Sequence, residues 1–169
     1  MARSRLAYLL PAALAAAAFA PSLGFGFVNW DDDTHLLANP SVRALHPASL
    51  DFWLTPSFGY PIPLPILSYA LGYALHGLHP PGHHAANVLL HAINCLLAAR
   101  VLARLGLQRP WALAGAALFA VHPLCAEPVS WVSGRKDLLA AGFGLGALDC
   151  WLAERALLAN LLFAAGALS

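Results

Sequence analysis

Three acidic residues stand in a row at Asp31-Asp32-Asp33, and a basic pair, Arg135-Lys136, is followed directly by Asp137. Adjacent carboxylates suit two chemistries. One is a general base poised by its neighbours; the other is a set of oxygen ligands for a divalent cation. Arg and Lys are natural partners of phosphate, Arg through its planar fork and Lys as a compact charge. Glu127 lies upstream of the basic pair, between His122-Pro123 and Pro128 as turn-forming neighbours. The bland alternatives are a solvated acidic cap for the triplet, since acidic residues are mostly exposed, and simple neutralisation of the basic pair by Asp137.

The elements that must carry these residues are read from composition. Of 169 residues, 60% are hydrophobic and 10% charged, against about a quarter charged in an ordinary soluble domain. Mean hydropathy is +0.66. This excludes a disordered chain and argues against a soluble globular one. A net charge of +1 leaves no basic field for nucleic acid. Cys95, Cys125 and Cys150 are too scattered for a disulfide framework or a CxxC zinc site.

The expected fold is an all-α polytopic membrane protein of about five transmembrane helices. Apolar runs of adequate or nearly adequate length fall at about 6–27, 84–105, 111–125, 138–153 and 156–168. The third and fourth are short and need tilt or help from neighbours; the fifth stops at the chain end, as if cut in mid-span. A cleaved signal peptide competes for the first run, with Arg3 and Arg5 before it and Ala18-Phe19-Ala20 as the cleavage site. Arg3, Arg5, Arg100, Arg104, Arg109 and Arg155 fall on one side, and Arg43, Arg135 and Lys136 on the other. The richer side is cytoplasmic by the positive-inside rule. Outer loops are then expected at about 29–83 and 126–137, and both charged segments belong to them.

Within the first outer loop, residues 62–78 read as an interfacial helix with Tyr69 and Tyr73 at the headgroup level, stopped by Gly77. His79-Pro80-Pro81-Gly82 reads as a turn into the second span. The histidines 76, 79, 83, 84 and 91 tempt a zinc reading. We favour His79, His83 and His84 as interfacial polar residues. Asn87, His91 and Asn94 share one helical stripe that faces the bundle interior and joins helices, His91 bonding to one of the two asparagines. Asp149 is costly in lipid and is expected to face inward, pairing with Arg155. Val132-Ser133-Gly134 lacks the leading glycine of an intramembrane serine-protease elbow.

A base on one outer loop and a basic pair on the other would together suit sugar transfer from a lipid-linked phosphate donor, the carboxylate taking the acceptor proton and the cations stabilising the departing phosphate. A non-catalytic membrane scaffold and a transporter of a lipid-linked or anionic solute are the alternatives. A transporter wants ionisable groups deep in the spans, where only Asp149 and His91 are expected.

Longer motifs carry a resemblance. Phe27-Val28-Asn29-Trp30-Asp31-Asp32, Asn39-Pro40, Tyr60-Pro61-Ile62-Pro63-Leu64, and the run from Leu75 through His84 with Asn87-Val88-Leu89-Leu90-His91-Ala92 resemble the TMTC-like family. So does His122-Pro123-Leu124 through Glu127 to Gly134-Arg135-Lys136-Asp137-Leu138-Leu139. The family comprises multi-span proteins followed by tetratricopeptide repeats, within the GT-C superfamily of membrane glycosyltransferases. The pattern departs at Pro61-Ile62, where some relatives carry Arg. The resemblance implies transfer of a sugar, mannose in the eukaryotic members, from a polyprenyl-phosphate donor to a protein Ser/Thr hydroxyl on the extracytoplasmic side. It puts Asp31 and Asp32 on the catalytic-base motif. Glu127, Arg135, Lys136 and Asp137, with His122 in support, fall on the second-loop motif. Implied partners are the donor lipid, a protein acceptor and the membrane; a divalent cation is the only cofactor to consider. The chain is expected to be the N-terminal part of such a membrane domain, inactive by itself, from a bacterial inner membrane or, if eukaryotic, the endoplasmic reticulum. The repeat domain is expected downstream.

Overall fold

The computed structural model describes residues 6–43 and 61–169, and every regular element among them is helical. In chain order these are α1 (Leu9–Phe19) with a 3₁₀ turn (Ala20–Gly24), a π-helical turn (Asp33–Leu37), α2 (Pro40–Arg43), α3 (Pro63–His76) and α4 (Pro80–Arg104). There follow α5 (Arg109–Ala120), a 3₁₀ turn (Pro123–Cys125), α6 (Ala126–Ser130), a 3₁₀ turn (Val132–Gly134), α7 (Arg135–Trp151) and α8 (Ala156–Ala167). Arg3, Arg5 and the stretch 44–60 of the long first loop lie outside the described residues.

Prolines and glycines set the boundaries. Helix α4 begins at Pro80 rather than at about 84, because Pro80 and Pro81 occupy its first turn, where a missing N–H costs nothing and the fixed φ suits a helix. The expected turn is thus the first turn of the helix. Gly77, at φ +63, ends α3 and its N–H donates to the Tyr73 carbonyl at 2.8 Å. Helix α5 stops at Ala120, ahead of Pro123, because proline cannot donate and pushes His122 out of the helical region; His122 is extended, at ψ 134. The apolar run expected as one span over 111–125 is therefore broken, with a 51° bend between Arg109–Ala120 and Pro123–Ser130. Helix α7 starts at Arg135, so Arg135, Lys136 and Asp137 form a helical first turn rather than loop.

Helix α4 is the axis of the molecule. Its 25 residues rise about 37 Å, and it packs against α1, α5 and α7, while α8 lies along α7. The α1–α4–α5 contacts are made by small side chains: Ala15, Cys95, Ala99, Ala112, Ala116 and Ala120 are all fully buried. Small residues let helix backbones approach closely. By length and composition α4 is apolar enough to cross a membrane, and the bent pair over 109–130 makes a second candidate; the helices over 9–24 and 156–167 are apolar but shorter.

The polar stripe of α4 does face inward. His83, His84, Asn87, His91 and Asn94 are at most 1% exposed, so His83 and His84 are core residues rather than interfacial ones. Each reaches a backbone carbonyl of another segment. His84 Nε2–H donates to Gly26 (3.3 Å), Asn87 Nδ2 to Trp131 (2.7 Å), His91 Nε2–H to Ala120 (3.0 Å) and Asn94 Nδ2 to Leu138 (2.9 Å). His91 bonds neither asparagine. The physical reason is the break after α5: a helix end leaves carbonyls without partners, and away from water each must be satisfied from within.

At the far end of α4, Asp149 of α7 is 5% exposed. It accepts from Arg100 (2.7 Å) and Arg104 (2.6 Å), not from Arg155. The last turns of α4 and α7 lie side by side there, whereas Arg155 follows the turn at Glu154, whose φ is +60.

Candidate functional site

The acidic segment around 31–33 is tied to the segment around 122–137 through Asp32, which is fully buried. Its Oδ2 accepts the Val28 N–H at 2.9 Å, and its Oδ1 accepts both the Ser133 N–H at 2.9 Å and the Ser133 hydroxyl at 2.5 Å. Three donors on one carboxylate form a charge-assisted clasp that joins positions 101 residues apart in the chain. Beneath it, Leu36, Val42, Ile62, Ile66, Tyr69 and Val132 make one apolar core from both segments and α3. Gly134 lets the second segment fold back on itself, since a Cβ there would stand 2.6 Å from Pro128 Cα.

Arg135 completes the frame from the other side. Only 1% exposed, its guanidinium donates to Asn87 Oδ1 (2.8 Å), the His83 carbonyl (2.8 Å) and the Ser68 carbonyl (3.3 Å). It lies over the Tyr69 ring at 4.7 Å. Tyr69 is itself fully buried, its hydroxyl donating to the Val132 carbonyl, so it is not an aromatic at the headgroup level. A cation in the first turn of a helix opposes the helix dipole. Arg135 is held there by these carbonyls, Asn87 and the ring, and it fastens α3, α4 and α7 together.

The neighbours of these two residues are placed differently. Asp31 and Lys136 carry 12% and 25% side-chain exposure and approach each other at 3.8 Å, Nζ to Oδ2. That is an ion pair without a close hydrogen bond. His35, on the π-helical turn, is fully buried beside them. Burial lowers its imidazole below the ordinary value, with the Asp31 charge opposing, Lys136 reinforcing and Asp32 opposing again. Such π-helical turns often mark functional sites. Asp33 opens the same turn and is half-buried.

Glu127 and Asp137 are exposed, in the first turns of α6 and α7. Partial loss of hydration raises the Asp137 carboxyl from its ordinary value, Lys136 pulling it back and Glu127 pushing it further. Glu127, Lys136 and Asp137 thus share one electrostatic neighbourhood, and Lys136 links it to Asp31. His122 acts locally, its Nδ1 accepting the Leu124 N–H at 3.3 Å to cap the turn at Pro123–Cys125. Among the described residues no three His, Cys, Asp or Glu side chains come together in a way that could hold a metal ion.

The structure therefore brings the two charged segments to one face and separates their members. Asp32 and Arg135 are inside and saturated; Asp31, Lys136, Glu127 and Asp137 are at the rim. Ser133, Ser68, Tyr69 and His35 belong to this assembly and escape sequence reasoning. Of these, Tyr69 reads from the sequence as interfacial because of its apolar neighbours, and Ser133 reads only as part of an incomplete serine-protease elbow.

Known proteins resemble this chain over most of its length. Over 135 residues the chain is 42% identical to protein O-mannosyl-transferase Tmtc1 of Drosophila melanogaster, covering 75% of this chain and 16% of that protein. It is 45% identical over 130 residues to protein O-mannosyl-transferase Tmtc2 of the same species, covering 70% and 14%. It is 36% identical over 138 residues to human protein O-mannosyl-transferase TMTC3, covering 75% and 14%. The chain thus spans only 14–16% of the length of these curated relatives. No protein-family model and no solved structure matches it.

Proposed function

The chain belongs to the TMTC-like family, and from that premise we propose that it is the N-terminal part of a GT-C-type membrane domain that transfers a sugar, mannose by analogy with the named relatives. The donor is a polyprenyl-phosphate sugar, the acceptor a protein Ser/Thr hydroxyl, and the rim faces the extracytoplasmic side. In this reading the N-terminus is cytoplasmic, the other apolar helices span with α4, and the setting is a bacterial inner membrane. The observation that carries the reading is the pairing of Asp31 with Lys136 across two segments held together by buried bonds.

The chemistry follows from who is free to act. Asp31 takes the proton of the acceptor hydroxyl. The acceptor oxygen forms its bond to the anomeric carbon from the face opposite the phosphate. The bond from that carbon to the phosphate oxygen breaks, and its electron pair leaves on the phosphate. Lys136, parted from Asp31 as the sugar enters between them, moves to that oxygen and offsets the charge arriving on it. Inversion at the anomeric carbon results. Asp32 cannot serve equally as base, because its oxygens already accept three donors; it is a positioning residue. Arg135 adds its field to the phosphate position, and its N–H groups, bonded to Asn87, His83 and Ser68, anchor the start of the helix that carries Lys136. Glu127 and Asp137 orient the acceptor at the rim, and His122 supports the segment through its cap.

The test is transfer by the full-length protein in proteoliposomes, supplied with a radiolabelled polyprenyl-phosphate mannose and an acceptor polypeptide. Label in the polypeptide, lost with Asp31→Asn, is the expected result. No label from mannosyl or other hexosyl polyprenyl phosphates would overturn the reading in favour of a membrane scaffold.

A further inference from the structure

At the end of α4 remote from Asp31 and Lys136, two guanidiniums converge on one carboxylate. Asp149 of α7 is 5% exposed and accepts one N–H from Arg100 at 2.7 Å and one from Arg104 at 2.6 Å. A guanidinium carries five N–H groups. Among the described residues neither arginine donates to any other protein group, so most of these N–H groups stay available to a ligand. The pair outweighs its carboxylate by one positive charge. Arg100 and Arg104 are four apart on one face of α4, and their side chains are 55% and 38% exposed. Asp149 is thus a buried post that fixes two half-exposed guanidiniums side by side. Planar forks pair with phosphate oxygens, and here the side chains are ordered before an anion arrives, which lowers the cost of binding it.

The depth of the pair selects the anion. Helix α4 is apolar enough to cross a membrane over its 25 residues, and Arg100–Arg104 is its last turn, where a span meets headgroups and water. Other charged groups gather at the same level. Helix α5 begins at Arg109 after a short loop, and its guanidinium lies over the Tyr8 ring at 5.9 Å. Glu154 and Arg155 sit exposed in the turn between α7 and α8. Four arginines therefore stand against two carboxylates, Asp149 and Glu154, among the described residues of this end. Trp111, near the start of α5, and Trp151, the last residue of α7, are 68% and 61% exposed, as suits aromatic side chains at the headgroup level. Ordered cations at that depth complement the phosphate of an anionic lipid rather than a free anion.

We propose that Arg100 and Arg104, fixed by Asp149, bind the phosphate of an anionic phospholipid headgroup, with Arg109 and Arg155 adding to the attraction. The site lies at the opposite end of the bundle from the Asp31–Lys136 face and does not rest on the sugar-transfer reading. It gives Asp149 a positioning duty besides joining α4 to α7.

The test uses full-length protein in detergent and phosphatidylglycerol carrying a photoactivatable diazirine in its headgroup. Illumination should label the segments about residues 100–111 and 149–155. Unmodified phosphatidylglycerol should displace the label; phosphatidylcholine and inorganic phosphate should not. Arg100→Gln should weaken binding about fivefold, and Arg100→Gln with Arg104→Gln should abolish the label. Arg43→Gln, which removes an exposed cation from α2, should change neither. Asp149→Asn separates a built site from diffuse attraction, because it raises the positive charge yet releases the guanidiniums. The proposal expects weaker binding from it, and tighter binding would overturn the proposal. Unfolding midpoints show which variants are folded, and where Asp149→Asn is not, Arg100→Gln decides. Parent affinity in folded Arg100→Gln, label spread evenly over the apolar helices, or equal displacement by phosphatidylcholine would each overturn the site. Displacement by inorganic phosphate would overturn the lipid as its occupant.

Discussion

Helix α4 carries a charged cluster at each end, and the two are built differently. At its C-terminal end one carboxylate, Asp149, is matched by two arginines at 2.7 and 2.6 Å. The arginines are 55% and 38% exposed, and the cluster joins α4 to α7. At its N-terminal end two carboxylates and two cations are sorted. Asp32 and Arg135 go inside with every strong bond made, and Asp31 and Lys136 go to the rim with a loose 3.8 Å contact. A saturated cluster holds structure; a pair left loose on a rigid frame can exchange its partner for a substrate. On the proposed reading, the chemistry belongs to the loosely paired end of the helix and the adhesion to the saturated one.

Arginine substitutions at the two ends break this comparison most sharply. Arg135→Ala would leave Asn87 Oδ1 and two buried carbonyls without their donor and should cost about 3–5 kcal/mol. Arg100→Ala, at a half-exposed site, should cost about 1 kcal/mol or less. Unfolding midpoints of the two variants in the same detergent check the contrast, and equal losses would refute it. Next in size, Lys136→Gln should raise donor KM about tenfold while leaving the unfolding midpoint at the parent's value, because the proposal gives Lys136 the phosphate and its one recorded contact is the loose one to Asp31. A fall in stability with unchanged KM would place Lys136 among the structural cations.

The smallest effect concerns pH. The folded state holds His35 below its ordinary value of 6.5, so the unfolded chain binds the extra proton first as pH falls. The stability this residue contributes is complete above about 6.5 and is lost as pH drops through that value towards the folded one. His35→Gln should flatten the dependence of the unfolding midpoint between roughly pH 7.5 and 5.5. An unchanged slope would remove His35 from the account.

Much of the frame was legible in the sequence because it rests on spacing. The stripe of Asn87, His91 and Asn94, the helix stop at Gly77 and the meeting of the two acidic and basic segments all follow from helical period, glycine chemistry and topology. The division of labour did not. Asp31 and Asp32 are neighbours of one type, and which of them is buried depends on Ser133 more than a hundred residues away. The burial of Tyr69, His83 and His84 depends likewise on where the Arg135 guanidinium and the second segment come to rest. Asp149 found Arg100 and Arg104 because two helix ends lie side by side, a fact of packing that no local pattern carries. The prolines misled in the opposite sense, looking like turns where they begin a helix.

The central claim is that adjacent carboxylates have opposite duties, and full-length Asp31→Asn and Asp32→Asn measured side by side for mannose transfer and for unfolding test it directly. The account predicts that Asp31→Asn keeps the parent's midpoint and loses transfer by about 10²–10⁴-fold, while Asp32→Asn lowers the midpoint as the clasp to Ser133 and Val28 weakens. An Asp31→Asn protein that transfers at the parent rate would contradict it.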